Sequence, residues 1–447
     1  MSKDRIGLDD HFTYDKLFKF CFPSIVMMVF TSVYGVIDGF FVSNFAGKVP
    51  FAAVNLIMPA IVVLGTFGFM FGTGGAALVS MTLGTGNRKR ANRLFSMLVE
   101  TTIIFGVVLS FFSFIFIEDI ARLLGATDEL LPYCVDYARI GIISATGFAL
   151  QNVFQSMFVT AEKPKLGLII TVLAGVSNII LDFILVGVLD MGVVGASLAT
   201  FIAESIGGYV PLLYFSRKND SLLEFRPIKI EIRPILEACV NGMSELLSNI
   251  STSIVSIVYN AQLLKFIGSD GVASFGVMMY VSFVFVAVFL GYAVGTAPIF
   301  GYNYGAKNVS ELRNLLKKSL IIVFSSGILM TLIAIVLAEP IADLFVGYDR
   351  ALHDMTVFAF RIFALQFIFA GFNTFITAFF TALNNGLVSG VISLFRVMIF
   401  KLSFVMVLPI FFGANGIWAA NPLSDFAALL LGAFFLIKEI KKNYRKV

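Results

Sequence analysis

Residues 152–161 read NVFQSMFVTA and residues 373–382 read NTFITAFFTA, with five identities in ten positions at an offset of 221 residues. The same register extends in both directions. Gly74, Ala76, Gly84 and Asn87 fall on Gly295, Ala297, Gly305 and Asn308; Ile120, Ala121, Leu123 and Asp128 fall on Ile341, Ala342, Leu344 and Asp349. Further on, Gly192, Gly195 and Ala199 fall on Gly413, Gly416 and Ala420. Chance matches in a chain rich in Phe, Ala and Gly would scatter over many offsets and would not align the rarer Asn and Asp. The chain is therefore read as a duplication.

The duplicated unit is a set of six long apolar runs. They fall at 17–46, 51–83, 93–117, 130–161, 165–190 and 193–215, then at 234–266, 271–305, 311–337, 352–383, 387–412 and 416–440. Each is long enough to span a bilayer as a helix, and a helix satisfies its own backbone groups there. Of the 447 residues 58% are hydrophobic and only 13% charged, with 50 Phe, 16 Met and 38 Gly. A soluble domain carries about 25% charged residues, so a soluble enzyme, a disordered chain and a nucleic-acid binder are excluded. The fold class expected is an all-α polytopic membrane protein: twelve transmembrane helices in two six-helix lobes, related by a pseudo-two-fold axis along the membrane normal. The polar N-terminus runs into span 1 without a small-residue cleavage site, so the first run is a span and not a signal peptide.

Lysine and arginine set the expected orientation. With the N-terminus inside, the cytoplasmic segments hold Lys3, Arg5, Lys16 and Lys19; Arg88, Lys89, Arg90 and Arg93; Lys163 and Lys165; Arg217, Lys218, Arg226, Lys229 and Arg233; Lys307, Arg313, Lys317 and Lys318; and Lys438, Lys441, Lys442, Arg445 and Lys446. The outer loops hold Lys48, Arg122 and Arg350, so the balance is 24 to 3 and both termini are expected in the cytoplasm. The domains expected are an N-lobe at 1–216, a cytoplasmic linker at 217–233 and a C-lobe at 234–447. Parallel repeats of this kind place a substrate between two halves that rock against each other. The competing reading is a duplicated scaffold without transport. No GxxxxGK[ST] motif occurs, the three cysteines form no CxxC, and both histidines lie outside the apolar runs. No ATPase, disulfide framework, metal site or cofactor is expected.

Carboxylates inside a bilayer are costly, and those in the runs need a reason. At 1.5 Å per residue, Asp38 lies about 15 Å before the outer end of span 1, and Asp182 about 12 Å before that of span 5. Thr200 lies about 15 Å into span 6 from the same side. Asn178 precedes Asp182 by one turn and shares its face. Two carboxylates, an amide and a hydroxyl at one level can bind a proton as a coupled pair, or a bare Na⁺. The competing reading is a polar knot that only locks helices together. Pro23 removes a hydrogen bond from span 1 and invites a kink there; an ordinary helix-start proline is the alternative.

At these residues the chain resembles the multidrug and toxic compound extrusion (MATE) family of bacterial type, over about residues 15–442. The resemblance rests on PSIVMMVFTSVYGVIDGFFV in span 1, LGTGNRKRA after span 2, the Ala-Glu-Lys-Pro turn at 161–164, NIILDFILV in span 5 and GVVGASLAT in span 6. It implies a cation site at Asp38, Asn178, Asp182 and Thr200, with Pro23 as the bend of span 1. It also implies a V-shaped pair of bundles exporting amphipathic, often cationic compounds in exchange for H⁺ or Na⁺. A monomer in the bacterial inner membrane follows, whose partners are small substrates and lipid rather than nucleic acid. In the second lobe the repeat places Tyr259, Ile399, Ser403 and Asn421 at the equivalent positions, so coupling is expected to be one-sided.

Other polar groups are secondary. Glu245 and Arg396 lie at similar heights in spans 7 and 11, so a charge pair is expected, either touching substrate or fixing the lobe. Lys401, five residues beyond Arg396, is expected to point away from it. Glu204 and Asp425 occupy equivalent repeat positions and are read as architecture. Met58, Met278 and Met279 are candidates for a permissive cavity wall, against the alternative of core or lipid contact. Two other functions remain: a flippase for lipid-linked oligosaccharides, which would need a strongly cationic cavity, and an intramembrane enzyme.

Overall fold

A computed structural model describes residues 6–227 and 230–444, and among these it is helical without strands. Lys3, Arg5, Lys229, Arg445 and Lys446 of the charge tally lie outside the described residues. The first lobe holds α1 (Tyr14–Phe45), α2 (Lys48–Gly84), α3 (Arg88–Ile115), a short α4 (Ile117–Leu123), α5 (Leu131–Thr160), α6 (Pro164–Asp182) and α7 (Gly192–Ser216). A π-helical stretch, Phe183–Val188, extends α6. The second lobe holds α8 (Ile232–Phe266), α9 (Ser269–Gly305), α10 (Val309–Val346), α11 (Arg350–Phe363), α12 (Gln366–Ala382), α13 (Gly386–Leu394), α14 (Lys401–Phe412) and α15 (Ala414–Glu439). A second π-helical stretch, Phe395–Phe400, joins α13 to α14.

Nine spans among the described residues are long and apolar enough to cross a membrane, and α11 with α12, bent by 44°, makes a tenth. The two remaining expected spans, α8 and α15, carry polar residues that lower their hydropathy. Asn241 and Ser244 on α8, and Asn421, Ser424 and Asp425 on α15, are buried against the rest of the protein. The architecture is thus two six-helix lobes of a twelve-helix membrane protein, related by the pseudo-two-fold axis.

The repeated residues do repeated work. Asn87 accepts from the Arg90 amide at 3.0 Å and Asn308 from the Glu311 amide at 3.2 Å, so each caps the third helix of its lobe. Gly192 and Gly413 both take left-handed φ, +55° and +57°, where a side chain would be strained. In the opening motif, Phe154 and Phe158 are buried in one lobe and Phe375 and Phe379 in the other. The hydroxyls of Thr160 and Thr381 each return to the carbonyl one turn back, at 3.2 Å in both cases.

The lobes meet most closely at the end of the bundle that carries the Lys/Arg-rich turns, the basic end. Packing between lobes runs α1 on α9, α2 on α8 and α2 on α9. A Cβ at Gly84 would collide with the Tyr302 carbonyl, and one at Gly305 with the Met81 carbonyl; the two contacts are exchanged by the 221-residue repeat. The segment Leu8–Phe12 then straps this end shut. Its Leu8 amide donates to Glu162 at 2.8 Å, Asn303 donates to the Leu8 carbonyl at 3.3 Å, and the Phe12 amide donates to Glu311 at 2.9 Å. Asn314 and Lys318 donate to the Phe12 carbonyl at 3.0 and 2.6 Å. Among the described residues, the hydrogen bonds between lobes all fall in this half. Towards the far end a Cβ at Gly39 of α1 or Gly276 of α9 would meet nothing within 4 Å.

Candidate functional site: a buried carboxylate pair in the first lobe

Three helices bring the expected residues together. Asp38 stands on α1, Asn178 and Asp182 on α6, and Thr200 on α7, and α6 packs against both α1 and α7. The Asp38 and Asp182 carboxylates lie within hydrogen-bonding range of each other, and Asn178 and Thr200 also face Asp38. The Thr200 hydroxyl donates to Asp38 Oδ1 at 3.5 Å. The set is graded by depth: Asp182 is 0% and Asn178 1% exposed, whereas Asp38 and Thr200 are half-buried. Both Asp182 oxygens and Asn178 Oδ1 are buried without a hydrogen-bond donor.

Orphaned buried oxygens are expensive, and two touching carboxylates cannot both stay ionised in a dry site without a positive charge between them. The donors are all oxygen, which suits a proton or a hard cation. Asp182 is also the last residue of α6 before the chain changes to π-helical pitch, and such wide turns recur at functional sites.

Pro23 is the tenth residue of α1, buried, and the helix runs through it without a break. It is therefore an interior proline and not a helix-start one. Its missing N–H leaves the Lys19 carbonyl without its usual helical partner.

In the second lobe the expected Glu245–Arg396 pair is replaced. Arg396 Nε pairs with Asp425 Oδ1 at 3.6 Å, and Asn373 donates to the Asp425 backbone carbonyl at 2.8 Å; Glu245 lies near Arg396 without pairing. Lys401 lies near both Asp425 and Arg396, contrary to expectation. The reason is the π-helical pitch of Phe395–Phe400, whose i to i+5 bonding brings residue 401 round to the face of residue 396. The counterpart of Asp38, Tyr259, stacks on Phe275 at 4.8 Å and points its hydroxyl at the Ile417 carbonyl, 3.3 Å away. The cavity-wall expectation fails for Met278, which is 0% exposed within the core beside Tyr259 and Phe275. Met279 packs at the edge of that core, and Met58 is exposed.

Sequence reasoning missed two features around the pair. Glu204, one turn beyond Thr200 on α7, has a buried Oε2 with no partner and lies close to Asp38 and Ser144. Tyr34, one turn before Asp38 on α1, lies close to Gln151 of α5. The spacing of four from Thr200 and from Asp38 was the available signal.

The arrangement defines a helical membrane transporter with an acidic site in one of two duplicated lobes. The MatE family matches residues 23–184 and 246–407, one match per lobe, and the chain belongs to that family. The multidrug export protein MepA of Staphylococcus haemolyticus is 25% identical over 445 residues, covering 97% of this chain and 96% of that one. MepA of Staphylococcus aureus strain MRSA252 is 23% identical over 428 residues, covering 94% and 93%. Among solved structures, a MATE transporter in complex with MaL6 superposes with a TM-score of 0.92 at 21% identity, over 98% of both chains. The outward-facing conformation of a multidrug resistance MATE family transporter gives 0.92 at 22% identity, again over 98% of both. These structural likenesses confirm the fold.

Proposed function

We propose that this protein is a secondary exporter of amphipathic or cationic organic compounds, exchanging them for H⁺ or Na⁺ by alternating access. The observation that carries the reading is the contact between Asp38 and Asp182, where one deeply buried carboxylate has no donor of its own. A coupling cation entering from the far end would be held by Asp38, Asp182, Asn178 and Thr200, and it would supply the charge that lets both carboxylates ionise. The exporter names of the staphylococcal relatives support the same reading.

The basic end faces the cytoplasm of a bacterial cell on this reading, in keeping with the positive-inside rule. The closed strap and the glycine contacts there, with the described hydrogen bonds between lobes confined to that half, then correspond to an outward-open state. Cation binding at Asp38 would change the charge on α1, the helix that packs both on α6 of its own lobe and on α9 of the other. That helix is therefore placed to link ion occupancy to lobe rocking. A flippase for lipid-linked oligosaccharides would call for a basic cavity, whereas the interior of the first lobe presents carboxylates.

The test is efflux of a fluorescent organic cation from proteoliposomes under separately imposed pH and Na⁺ gradients. Concentrative transport under at least one gradient is expected. Transport under neither would refute ion coupling.

A further inference from the structure

Glu204 and Asp425 occupy the same position in the two repeats, 221 residues apart, yet the protein treats them differently. Asp425 is 2% exposed and has a built-in counter-charge, Arg396, at 3.6 Å, with Lys401 close by. Glu204 has neither. Its Oε2 is buried without a partner, and its neighbours are the carboxylate of Asp38, the hydroxyl of Ser144, and the phenols of Tyr34, Tyr137 and Tyr209.

The charge balance of the lobes repeats this contrast. Deep in the second lobe Glu245 and Asp425 stand beside Arg396 and Lys401. The corresponding part of the first lobe holds the buried Asp182 with the half-buried Asp38 and Glu204, and no lysine or arginine among them. The nearest basic residue in the spans, Arg139, sits near the far end of α5 and pairs with Glu118 at 3.9 Å. One cation at the Asp38–Asp182 pair leaves Glu204 still uncompensated. An uncompensated buried charge is costly, so the lobe is built to receive a second positive charge.

We propose that Glu204 is a second cation site, which takes the positive head of a lipophilic organic cation while Asp38 and Asp182 hold the coupling ion. The inference rests on the exporter reading above and names the group that selects its substrates. Depth separates the two sites. Asp182 and Asn178 are 0% and 1% exposed, whereas Glu204, Asp38 and Tyr34 are half-buried. Among the described residues no three carboxylates form a common metal cage, so Glu204 is not a third ligand of the small-ion site. Tyr34, close to Gln151 and flanked by Phe30 at 6.1 Å, adds an aromatic face near the carboxylate. A soft organic cation is attracted to such a face. Close packing holds the geometry, since the Glu204 carbonyl lies against Gly147 of α5 where a side chain would intrude.

The experiment is equilibrium binding of tetraphenylphosphonium to the purified full-length protein in detergent. Glu204→Gln is expected to weaken binding by about tenfold or more, as removal of a desolvated counter-charge does. Glu204→Asp, which keeps the charge, should stay within about threefold of wild type. Glu100→Gln removes a carboxylate exposed on α3, outside the lobe interior, and should bind as wild type does. Unchanged affinity in Glu204→Gln, with wild type binding well, would overturn this site while leaving the exporter reading intact. Equal loss in Glu204→Asp would assign the residue a packing role and also overturn it. Failure of wild type to bind or transport the probe would overturn both readings.

Discussion

Glu311 on α10 accepts the backbone amide of Phe12 at 2.9 Å, fastening a segment that precedes α1 to the opposite lobe. The same carboxylate meets His11 Nδ1 at 2.6 Å and accepts from Asn314 at 2.8 Å, while Leu8 and Phe12 are both 0% exposed. One side chain thus holds two partners across the seam that must open when access alternates, with Asn314 of its own helix bracing it.

Glu311→Ala should loosen this seam. Losing hydrogen bonds to a charged group costs about 1.5–3 kcal/mol, or roughly 10- to 150-fold in the open population. Cys21 is a natural reporter, being 0% exposed at the lobe contact beside Gly295. With Cys134 and Cys239 replaced by serine, maleimide labelling of Cys21 should be slow in the parent and at least about tenfold faster in Glu311→Ala. Equal rates would mean the strap does not hold the seam.

Gly84→Val and Gly305→Val should each push the lobes apart at the basic end, because the added side chain meets a backbone carbonyl that cannot rotate away. Overpacking of this kind costs about 1–3 kcal/mol. Because the repeat exchanges the two contacts, the losses in melting temperature should match, and spin-label distances across the seam should lengthen in both. A loss in only one variant would break the proposed equivalence.

Asp425→Asn should strand Arg396, whose Nε has no hydrogen-bond acceptor of good geometry even now. Breaking a buried pair from one side costs about 3–5 kcal/mol, whereas replacing both partners with apolar residues is often neutral. The melting temperature should fall sharply in Asp425→Asn and recover in Arg396→Met/Asp425→Leu. If the double variant is as unstable as the single one, the pair does more than balance charge.

The duplication was legible because its identities fall on caps, left-handed turns and close contacts, where the backbone admits few residue types. The acidic set was legible because depth alone places Asp38, Asp182 and Thr200 at one level. The partner of Arg396 was not legible. An α-helical count turns Lys401 away, and only the π-helical stretch, which no residue pattern announces, restores it to the Arg396–Asp425 cluster. Glu204 was passed over for the opposite reason: repeat equivalence to Asp425 read as shared architecture, whereas the countercharge differs through Arg396, which has no basic counterpart in the first lobe. The strap was hidden because Leu8–Phe12 mixes charges with two apolar residues and matches no span pattern.

The exchange mechanism is tested most directly by gradient-driven efflux of a fluorescent organic cation from proteoliposomes containing Asp182→Asn. This variant keeps the volume of the side chain and removes one charge of the pair. The prediction is loss of concentrative transport to below about a tenth of wild type, with protein level in the membrane unchanged and downhill substrate exchange retained. Undiminished concentrative efflux by Asp182→Asn would contradict the assignment of the Asp38–Asp182 pair as the coupling site.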